Sequence, residues 1–198
     1  MKKRQLEMAL QRLTPLHKRS EKLEQYQTPA GIAADVLWEA YGAGDVQGKD
    51  IADLGCGNGI FAIGAMLLGA HHAVGIDIDP GAVEVAGANA ADAGVEIEFF
   101  EADVSSAKGA FDTVLMNPPF GAQTRHADRP FIEKAFEVAP RSYSLHNEGT
   151  EGFVAKLAEA LGGRAVPVKR YKFEIPYAFE FHRKATETVS VVLLRFER

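Results

Sequence analysis

The sequence predicts an α/β domain with a mostly parallel sheet, helices on both faces and an antiparallel last strand. Strand-like and helix-like patterns alternate from residue 50 to the end of the chain, and repeated βαβ units imply parallel strands with right-handed crossovers. A glycine-rich run separates the first strand of this alternation from the first helix. The two final strands have no helix between them, which implies one antiparallel edge strand.

Seven segments are predicted to be strands because they are short and apolar or alternate in polarity. They cover residues 51–54, 73–78, 96–101, 111–116, 142–145, 164–173 and 187–196. Helices are predicted over residues 60–68, 80–93, 131–138 and 149–161. Asp79 and Pro80 supply an N-cap and a first-turn proline for the second of these helices.

The residues before this alternation predict two further helices. The leucines between residues 6 and 13 fall at helical spacing, and Pro15 interrupts them. Thr28 and Pro29 have the character of an N-cap and a first turn for a second helix. We therefore predict a helical N-terminal extension, residues 1–49, and a core, residues 50–198, within one structural domain.

The composition sets limits on the kind of protein. A chain of 198 residues with 46% hydrophobic residues can form one full α/β core. No apolar stretch approaches the roughly 18 residues of a membrane span, and the polar start lacks a secretory apolar region, so a cytoplasmic protein is expected. Cys56 is the only cysteine, which excludes an internal disulfide and a multi-cysteine zinc site. The histidines show no metal-ligand spacing, so no metal is expected.

The net charge of −5 is unevenly distributed. Residues 1–22 hold seven Lys or Arg against two Glu, and residues 164–184 hold six against two acidic residues. Basic clusters on an otherwise acidic protein are typical of a surface that contacts phosphates. Solvation of helix and loop faces explains the same pattern, and the sequence leaves both interpretations open.

The run Asp53-Leu-Gly-Cys-Gly-Asn-Gly59 predicts a nucleoside pocket. Its spacing is G-x-G-x-G, which differs from the G-x-G-x-x-G of dinucleotide enzymes. Glycine lets the backbone approach a ligand closely, because it has no Cβ. Asp77 ends the second strand, where a carboxylate can accept both ribose hydroxyls. Asp103, at the end of the third strand, is expected near an adenine, with Val104 against the ring; ligands of open α/β sheets bind at these strand ends.

Asn117-Pro118-Pro119-Phe120 directly follows the predicted strand 111–116 and indicates the chemistry. The prolines hold the chain extended, so that the side-chain oxygen of Asn117 and the carbonyl of Pro118 can converge as acceptors. Two acceptors favour the pyramidal nitrogen that forms when a conjugated amine attacks a methyl group. Phe120 is expected to stack on a base. Together with the pocket, the motif predicts methyl transfer to an amino group.

With these motifs, the chain resembles the class I S-adenosylmethionine-dependent methyltransferases, which implies a Rossmann-like seven-stranded fold. It is most similar to the methyltransferase-like five group of archaea and eukaryotes, which methylates adenine N6 in small-subunit ribosomal RNA. The resemblance covers residues from about 22 to the end. Beyond the two main motifs, it lies in Leu23-Glu-Gln-Tyr26 with Thr28, Ile63-Gly64, Leu68-Gly-Ala70, Gly75-Ile-Asp-Ile-Asp79, Tyr143-Ser-Leu-His146 and Phe181-His182. One departure is Asn147, where relatives carry a lysine.

The resemblance implies roles for individual residues. Residues 1–49 would contribute to closure over the cofactor, through Gln25 and Thr28. The implied cofactor-binding set comprises Gln25, Thr28, Asp53, Gly55, Gly57, Asn58, Gly59, Asp77, Ile78, Asp103 and Val104. The residues implied to hold the target base are Asn117, Pro118, Pro119 and Phe120. Candidate RNA contacts are Lys169, Arg170, Lys172, His182, Arg183 and Lys184. A small zinc-containing activator protein of the Trm112 type is the implied partner.

Other functions remain open on the sequence alone. The same pocket and motif serve methyl transfer to a DNA adenine, a guanine amine or a protein glutamine amide. A non-catalytic RNA-binding scaffold is a further alternative, which the intact Asn117 and Asp77 disfavour. A nicotinamide-dependent oxidoreductase is disfavoured because the glycine spacing differs and no acid for hydride transfer is evident.

Overall fold

The computed structural model describes residues 1–16, 27–119, 126–176 and 186–198, with the side chains of 173–176 and 186–188 left out. The described residues form one seven-stranded sheet. Its strands are β1 Asp50–Leu54, β2 His72–Asp77, β3 Glu98–Glu101, β4 Thr113–Met116, β5 Arg141–Asn147, β6 Arg164–Pro176 and β7 Thr186–Glu197. The predicted fold class is confirmed.

The strand order is β3-β2-β1-β4-β5-β7-β6. β1 to β5 pair in parallel, and β7 pairs antiparallel with both β5 and β6. The prediction of an antiparallel edge strand was therefore wrong in one respect, because the antiparallel strand lies inside the sheet and β6 forms the edge. The physical reason is polarity: Val191 to Leu194 of β7 are at most 1% exposed, as in a central strand, whereas β6 carries the exposed charges Lys169, Arg170 and Lys172, which suit an edge.

Six α-helices of the described residues flank the sheet. They are α1 Lys3–Leu10, α2 Ala30–Gly42, α3 Ile60–Leu67, α4 Pro80–Ala93, α5 Arg129–Val138 and α6 Glu151–Ala160. The predicted cap of α4 is confirmed, since Asp79 Oδ1 accepts a hydrogen bond of 2.9 Å from Gly81 N. The helix predicted from residue 149 begins instead with a 3-10 turn, Glu148–Thr150, because Asn147 Oδ1 accepts from Gly149 N at 2.9 Å.

The core consists of two apolar clusters, one on each face of the sheet. Ile51, together with α1, α2 and α3, belongs to the first cluster. Its neighbour Ala52, together with α5 and α6, belongs to the second. Successive side chains of a strand point to opposite faces, so a fully covered sheet requires apolar residues at consecutive positions. The short, continuous apolar strands of this sequence meet that requirement.

Thr28 does not cap α2, so this detail of the sequence analysis was wrong. Pro29 is the N-cap residue, no side chain caps the helix, and α2 begins at Ala30. The Thr28 hydroxyl instead accepts a hydrogen bond from the side chain of Asn117. In the described parts of the chain, no helix combines the length and the apolar character needed to cross a membrane.

Candidate active site

A cavity of about 440 Å³ lies where β1, β2 and β4 reach their carboxyl ends. This is the edge at which open α/β sheets bind ligands. The cavity brings together most of the residues that the sequence selected. Those that line it are Thr28, Gly55, Gly57, Asn58, Asp77, Ile78, Asp103, Val104, Asn117 and Pro119.

The glycine loop follows β1 and forms the floor of the cavity. Gly55 and Gly57 have φ angles of 71° and 54°, a region that favours glycine. Gly55 N donates to the Ile76 carbonyl at 2.8 Å, which holds the loop against β2. A Cβ placed on Gly57 would meet no protein atom within 4 Å. The loop therefore presents backbone to open space that a ligand can occupy.

Asp77 is fixed by backbone amides from two segments of the chain. Its Oδ2 accepts from Gly57 N at 2.8 Å, and its Oδ1 accepts from Asp79 N at 3.0 Å. Burial raises the pKa of the Asp77 carboxyl, and these two amide donors oppose the shift. The carboxylate is thus oriented before any ligand binds, and each oxygen has a second lone pair for a hydroxyl donor.

Asp103 lies just after β3 and caps a 3-10 turn, Val104–Ser106. Its Oδ1 accepts from Ser105 N at 2.8 Å and from Ser105 Oγ at 2.5 Å. These bonds to Ser105 lower the pKa of the Asp103 carboxyl, which keeps it ionised at the cavity edge. Val104 is 9% exposed and Ile78 is 51% exposed, so this end of the cavity has an apolar lining with one charge.

Asn117 stands at the end of β4, and its side chain contacts the N-terminal extension. Asn117 Nδ2 donates to Thr28 Oγ1 at 2.8 Å, and Thr28 is only 5% exposed. The Thr28 hydroxyl thus binds the motif residue instead of capping α2. This bond fixes the plane of the carboxamide, and with Nδ2 as the donor to Thr28, Oδ1 is the acceptor atom of the side chain.

A second contact attaches the N-terminal extension to the glycine loop. Asn89 of α4 accepts from Thr14 N at 2.8 Å and donates to the carbonyls of Thr14 and Asn58 at 3.1 and 3.0 Å. Asn58 Nδ2 also donates to the Thr14 carbonyl, at 3.2 Å. Leu16, two residues further along, lines the cavity. The sequence analysis missed Asn89, because a single asparagine inside a helical pattern carries no motif.

Three predicted residues lie off the cavity. Asp53 is 0% exposed, and its Oδ2 accepts from Ala62 N at 3.0 Å at the start of α3. Gly59 has a φ of 83° at the N-cap of α3 and packs against Ala86. Pro118 is buried and does not line the cavity, in contrast to its neighbour Pro119. Gln25 and Phe120 lie outside the described residues.

One wall of the cavity, which contacts the glycine loop, comes from residues that the sequence did not single out. Ala127, Pro130 and Phe131 line the cavity there. The Phe131 ring lies against Gly55, where an added Cβ would be 2.9 Å from Phe131 Cε1. Ala127 and Phe131 are half-buried and Pro130 is exposed. Apolar residues at a helix start form no motif, so only the tertiary contact reveals them.

The candidate RNA contacts are divided between the two faces of β6. Lys169 pairs with Asp35 of α2, whereas Arg170 pairs with Glu148 and Glu151 at 2.8 and 2.9 Å. Adjacent strand residues point to opposite faces. Lys172 is exposed and makes no ion pair with a described residue. His182, Arg183 and Lys184 lie outside the described residues, and the RNA-binding role of the whole set stays a prediction.

Comparison with known proteins assigns the chain to a family. The model of the methyltransferase small domain matches residues 32–165. The chain belongs to this family. Its cofactor is S-adenosylmethionine, as predicted, and the protein is a methyltransferase. A cavity of about 440 Å³ is large enough for S-adenosylmethionine. The open space beside Gly57 would let the cofactor contact the backbone of the glycine loop.

Several proteins are similar to this chain over nearly its whole length. The chain is 38% identical to MJ0284 of Methanocaldococcus jannaschii, with 100% of this chain and 95% of that protein aligned. It is 36% identical to the rRNA N(6)-adenosine-methyltransferase Mettl5 of Drosophila melanogaster, with 100% and 97% aligned. The crystal structure of PH1948 from Pyrococcus horikoshii superimposes with a TM-score of 0.90 at 40% identity, covering 100% of this chain and 98% of that one.

Proposed function

We propose that the protein transfers a methyl group to the N6 amine of an adenine in RNA, and that the target lies in small-subunit ribosomal RNA. One observation carries the proposal: Asn117 lines the same cavity as Gly55, Gly57 and Asp77. An acceptor for a flat amine therefore stands beside the glycine loop. Support for RNA as the substrate comes from the name of the Drosophila relative, which is aligned over nearly its whole length.

Several residues would hold the cofactor. Asp77 would accept the ribose hydroxyls, and Asp103 and Val104 would meet the adenine ring. The backbone of Gly55 and Gly57 would line the nucleoside. When bound, S-adenosylmethionine supplies a methyl group on a sulfonium, which is already a good leaving group. The protein then contributes mainly by orienting the reactants. Orientation of this kind can lower the activation free energy by roughly 7 to 11 kcal/mol.

Asn117 and Pro118 would hold the acceptor. The Asn117 side-chain oxygen would accept one hydrogen of the exocyclic amine. The family resemblance implies the Pro118 carbonyl as the second acceptor, and its neighbours Asn117 and Pro119 line the cavity whereas Pro118 itself is buried behind them. Two acceptors would favour the pyramidal form of the amine during attack. Pro119 lines the cavity next to them. Phe120 would stack on the base, which has to leave its helical stack to enter such a cavity.

The N-terminal extension would take part in closing the cofactor site. Support comes from its two described attachments, Thr14 on Asn89 and Thr28 on Asn117, and from Leu16 and Gln27 in the cavity lining. Residues on both sides of the undescribed stretch 17–26 thus contribute to the cavity. The role of Gln25 stays a prediction.

A small zinc-containing activator of the Trm112 type is the proposed partner, as the family resemblance implies. Phe100 on the edge strand β3 is 47% exposed, so an apolar side chain is available there for a partner to cover. Co-expression with such an activator should give a complex that survives gel filtration. A cytoplasmic location likewise stays a prediction.

The test is a labelling experiment with methyl-labelled cofactor and separate ribosomal RNA, DNA and protein fractions. We expect label in RNA, and mass spectrometry of its nucleosides should identify N6-methyladenosine. Asn117→Ala should abolish transfer and leave cofactor binding nearly unchanged, because Asn117 acts on the acceptor. Label confined to DNA or to a glutamine side chain would contradict the RNA proposal, and activity that survives Asn117→Ala would contradict the mechanism.

A further inference from the structure

A buried chain of hydrogen bonds connects β5 to the residues that precede α5. Ser144 Oγ and His146 Nε2 lie 2.7 Å apart, and His146 Nδ1 and Asp128 Oδ2 lie 3.1 Å apart. The exposed fractions of Ser144, His146 and Asp128 are 0%, 1% and 5%. The proposed transfer reaction assigns no role to these three side chains.

Their order is that of a serine hydrolase triad, but burial excludes that chemistry. A nucleophilic serine has to reach its substrate. Ser144 has no exposed surface and does not line the cavity. The chain of hydrogen bonds therefore has a positional role.

With Asp128 ionised and His146 neutral, the hydrogen-bonding roles of the three groups fix where the protons lie. An ionised carboxylate only accepts hydrogen bonds, so His146 Nδ1 carries a proton and donates it to Asp128. In a neutral imidazole the other nitrogen is then an acceptor, and it accepts from the Ser144 hydroxyl. The arrangement selects one tautomer of His146, which gives it a spectroscopic signature.

Asp128 lies within the wall that faces the glycine loop. Ala127 before it and Pro130 and Phe131 after it all line the cavity. The Phe131 ring packs on Gly55. Asp128 itself does not line the cavity and is hydrogen-bonded to His146. β5 therefore fixes the wall on the side that faces away from the cavity.

His146 lies on the strand next to the one that leads into the Asn-Pro-Pro motif. Ser144 pairs in register with Met116, the residue before Asn117. Continuing this parallel register by two residues brings His146 level with Pro118. The strand that carries the Asn-Pro-Pro motif and the strand that holds the wall are thus adjacent.

We propose that His146 and Asp128 are positioning residues that set the distance between the wall and the glycine loop, and that they thereby determine the affinity for the cofactor. The inference rests on the proposed cofactor site. Loss of either partner leaves the other as a buried polar group without its hydrogen bond. This costs free energy, and the residues that line the wall shift to reduce that cost. The first consequence is misplacement of Phe131 over Gly55.

The binding experiment uses variants of the full chain and calorimetry with S-adenosylmethionine. His146→Leu and Asp128→Ala should raise the Kd roughly tenfold, less than the about 10²-fold that a 1 Å misplacement can cost at a reacting centre. Asp128→Asn keeps an acceptor oxygen for His146 Nδ1 and should retain near-normal affinity. Glu133→Gln changes an exposed carboxylate of α5 that pairs with Arg129, and it serves as the control with no expected effect.

Nitrogen NMR of histidine-labelled wild-type protein tests the tautomer directly, and this first measurement requires no variant to fold. We expect Nδ1 of His146 to be protonated, and we expect this preference to disappear in Asp128→Ala. An unprotonated Nδ1, or equal loss of affinity in Asp128→Asn and Asp128→Ala, would overturn the proposal. Both readouts are independent of the methyl acceptor, so they stand even if RNA is not the substrate.

Discussion

Asn117 donates a hydrogen bond of 2.8 Å from its side-chain nitrogen to the hydroxyl of Thr28. The two residues are 89 positions apart in the chain, and both line the cavity. The amino-group motif is thus oriented by a residue that precedes α2 and is distant from the motif in the sequence. Acceptors aimed at a reacting amine stabilise its transition state only if their orientation is fixed beforehand.

Thr28→Val should lower kcat by up to about 10²-fold, because it keeps the shape of the side chain and removes the partner of Asn117. Thr28→Ser keeps the hydroxyl and is the matched control, with kcat close to wild type. Steady-state kinetics with both substrates varied will measure the effect. A rise in the KM for the cofactor at unchanged kcat would instead support the direct cofactor contact that the family resemblance implies.

Asn89→Leu should weaken cofactor binding, since it removes the hydrogen bonds that join Thr14 to the Asn58 carbonyl. We expect Kd to rise about tenfold, equivalent to about 1.4 kcal/mol. Hydrogen exchange at the Thr14 amide should become faster at the same time. Asp92→Asn, at an exposed position of the same helix, is the control; unchanged exchange at Thr14 in Asn89→Leu would show that Asn89 does not hold the extension.

Gly64→Ala should destabilise the fold by about 1 to 3 kcal/mol through overpacking. A Cβ at Gly64 would lie 2.3 Å from Leu37 Cδ1, where α2 and α3 pack together. Gly87 in α4 has no atom within 4 Å of such a Cβ, so Gly87→Ala should stabilise by about 0.4 to 1 kcal/mol. Urea unfolding of both variants will compare them, and equal effects would contradict the proposed helix packing.

Asp53 should make the fold more stable in mild acid than at neutral pH. Burial raises the pKa of Asp53 to about 7, with a smaller contribution from the Asp77 charge, while the Ala62 amide opposes the shift. The folded state then binds a proton that the unfolded state has released, so the free energy of unfolding decreases between about pH 4 and pH 7 and levels off above. Asp53→Asn should flatten this decrease in urea titrations from pH 5 to pH 7.5. An identical slope in both proteins would contradict the assignment.

Lys172→Gln should weaken RNA binding and make it less dependent on salt. The slope of log K against log salt should become shallower by about 0.7 to 0.9 for each phosphate that the side chain no longer neutralises. Lys172 makes no ion pair among the described residues, whereas Lys169 is held by Asp35. Lys169→Gln, as the comparison, should therefore change the slope less. Filter binding of ribosomal RNA fragments over a range of salt concentrations will measure the slope for both variants. A larger change in slope for Lys169→Gln than for Lys172→Gln would contradict this prediction.

The sequence predicted the fold well because its signals are local. The strand at 51–54, the glycine loop and the Asp79-Pro80 helix start each depend on neighbouring residues, and each is found within one or two positions. The place of β7 inside the sheet was not predicted, since it depends on which strands pair over long distances. The N-cap assigned to Thr28 failed for the same reason, because a partner 89 residues away engages the hydroxyl.

The sequence by itself determined the fold class, the methyl-transfer chemistry and the position of the cavity at the carboxyl ends of the strands. These follow from short motifs and from the handedness of βαβ units, which need no knowledge of distant contacts. Only the tertiary structure decided which residues hold those motifs in position: Thr28 on Asn117, Asn89 on Thr14, and His146 on Asp128. Such partners are single polar residues without a motif, and they become recognisable only when folding buries them beside each other and each buried polar group requires a hydrogen bond.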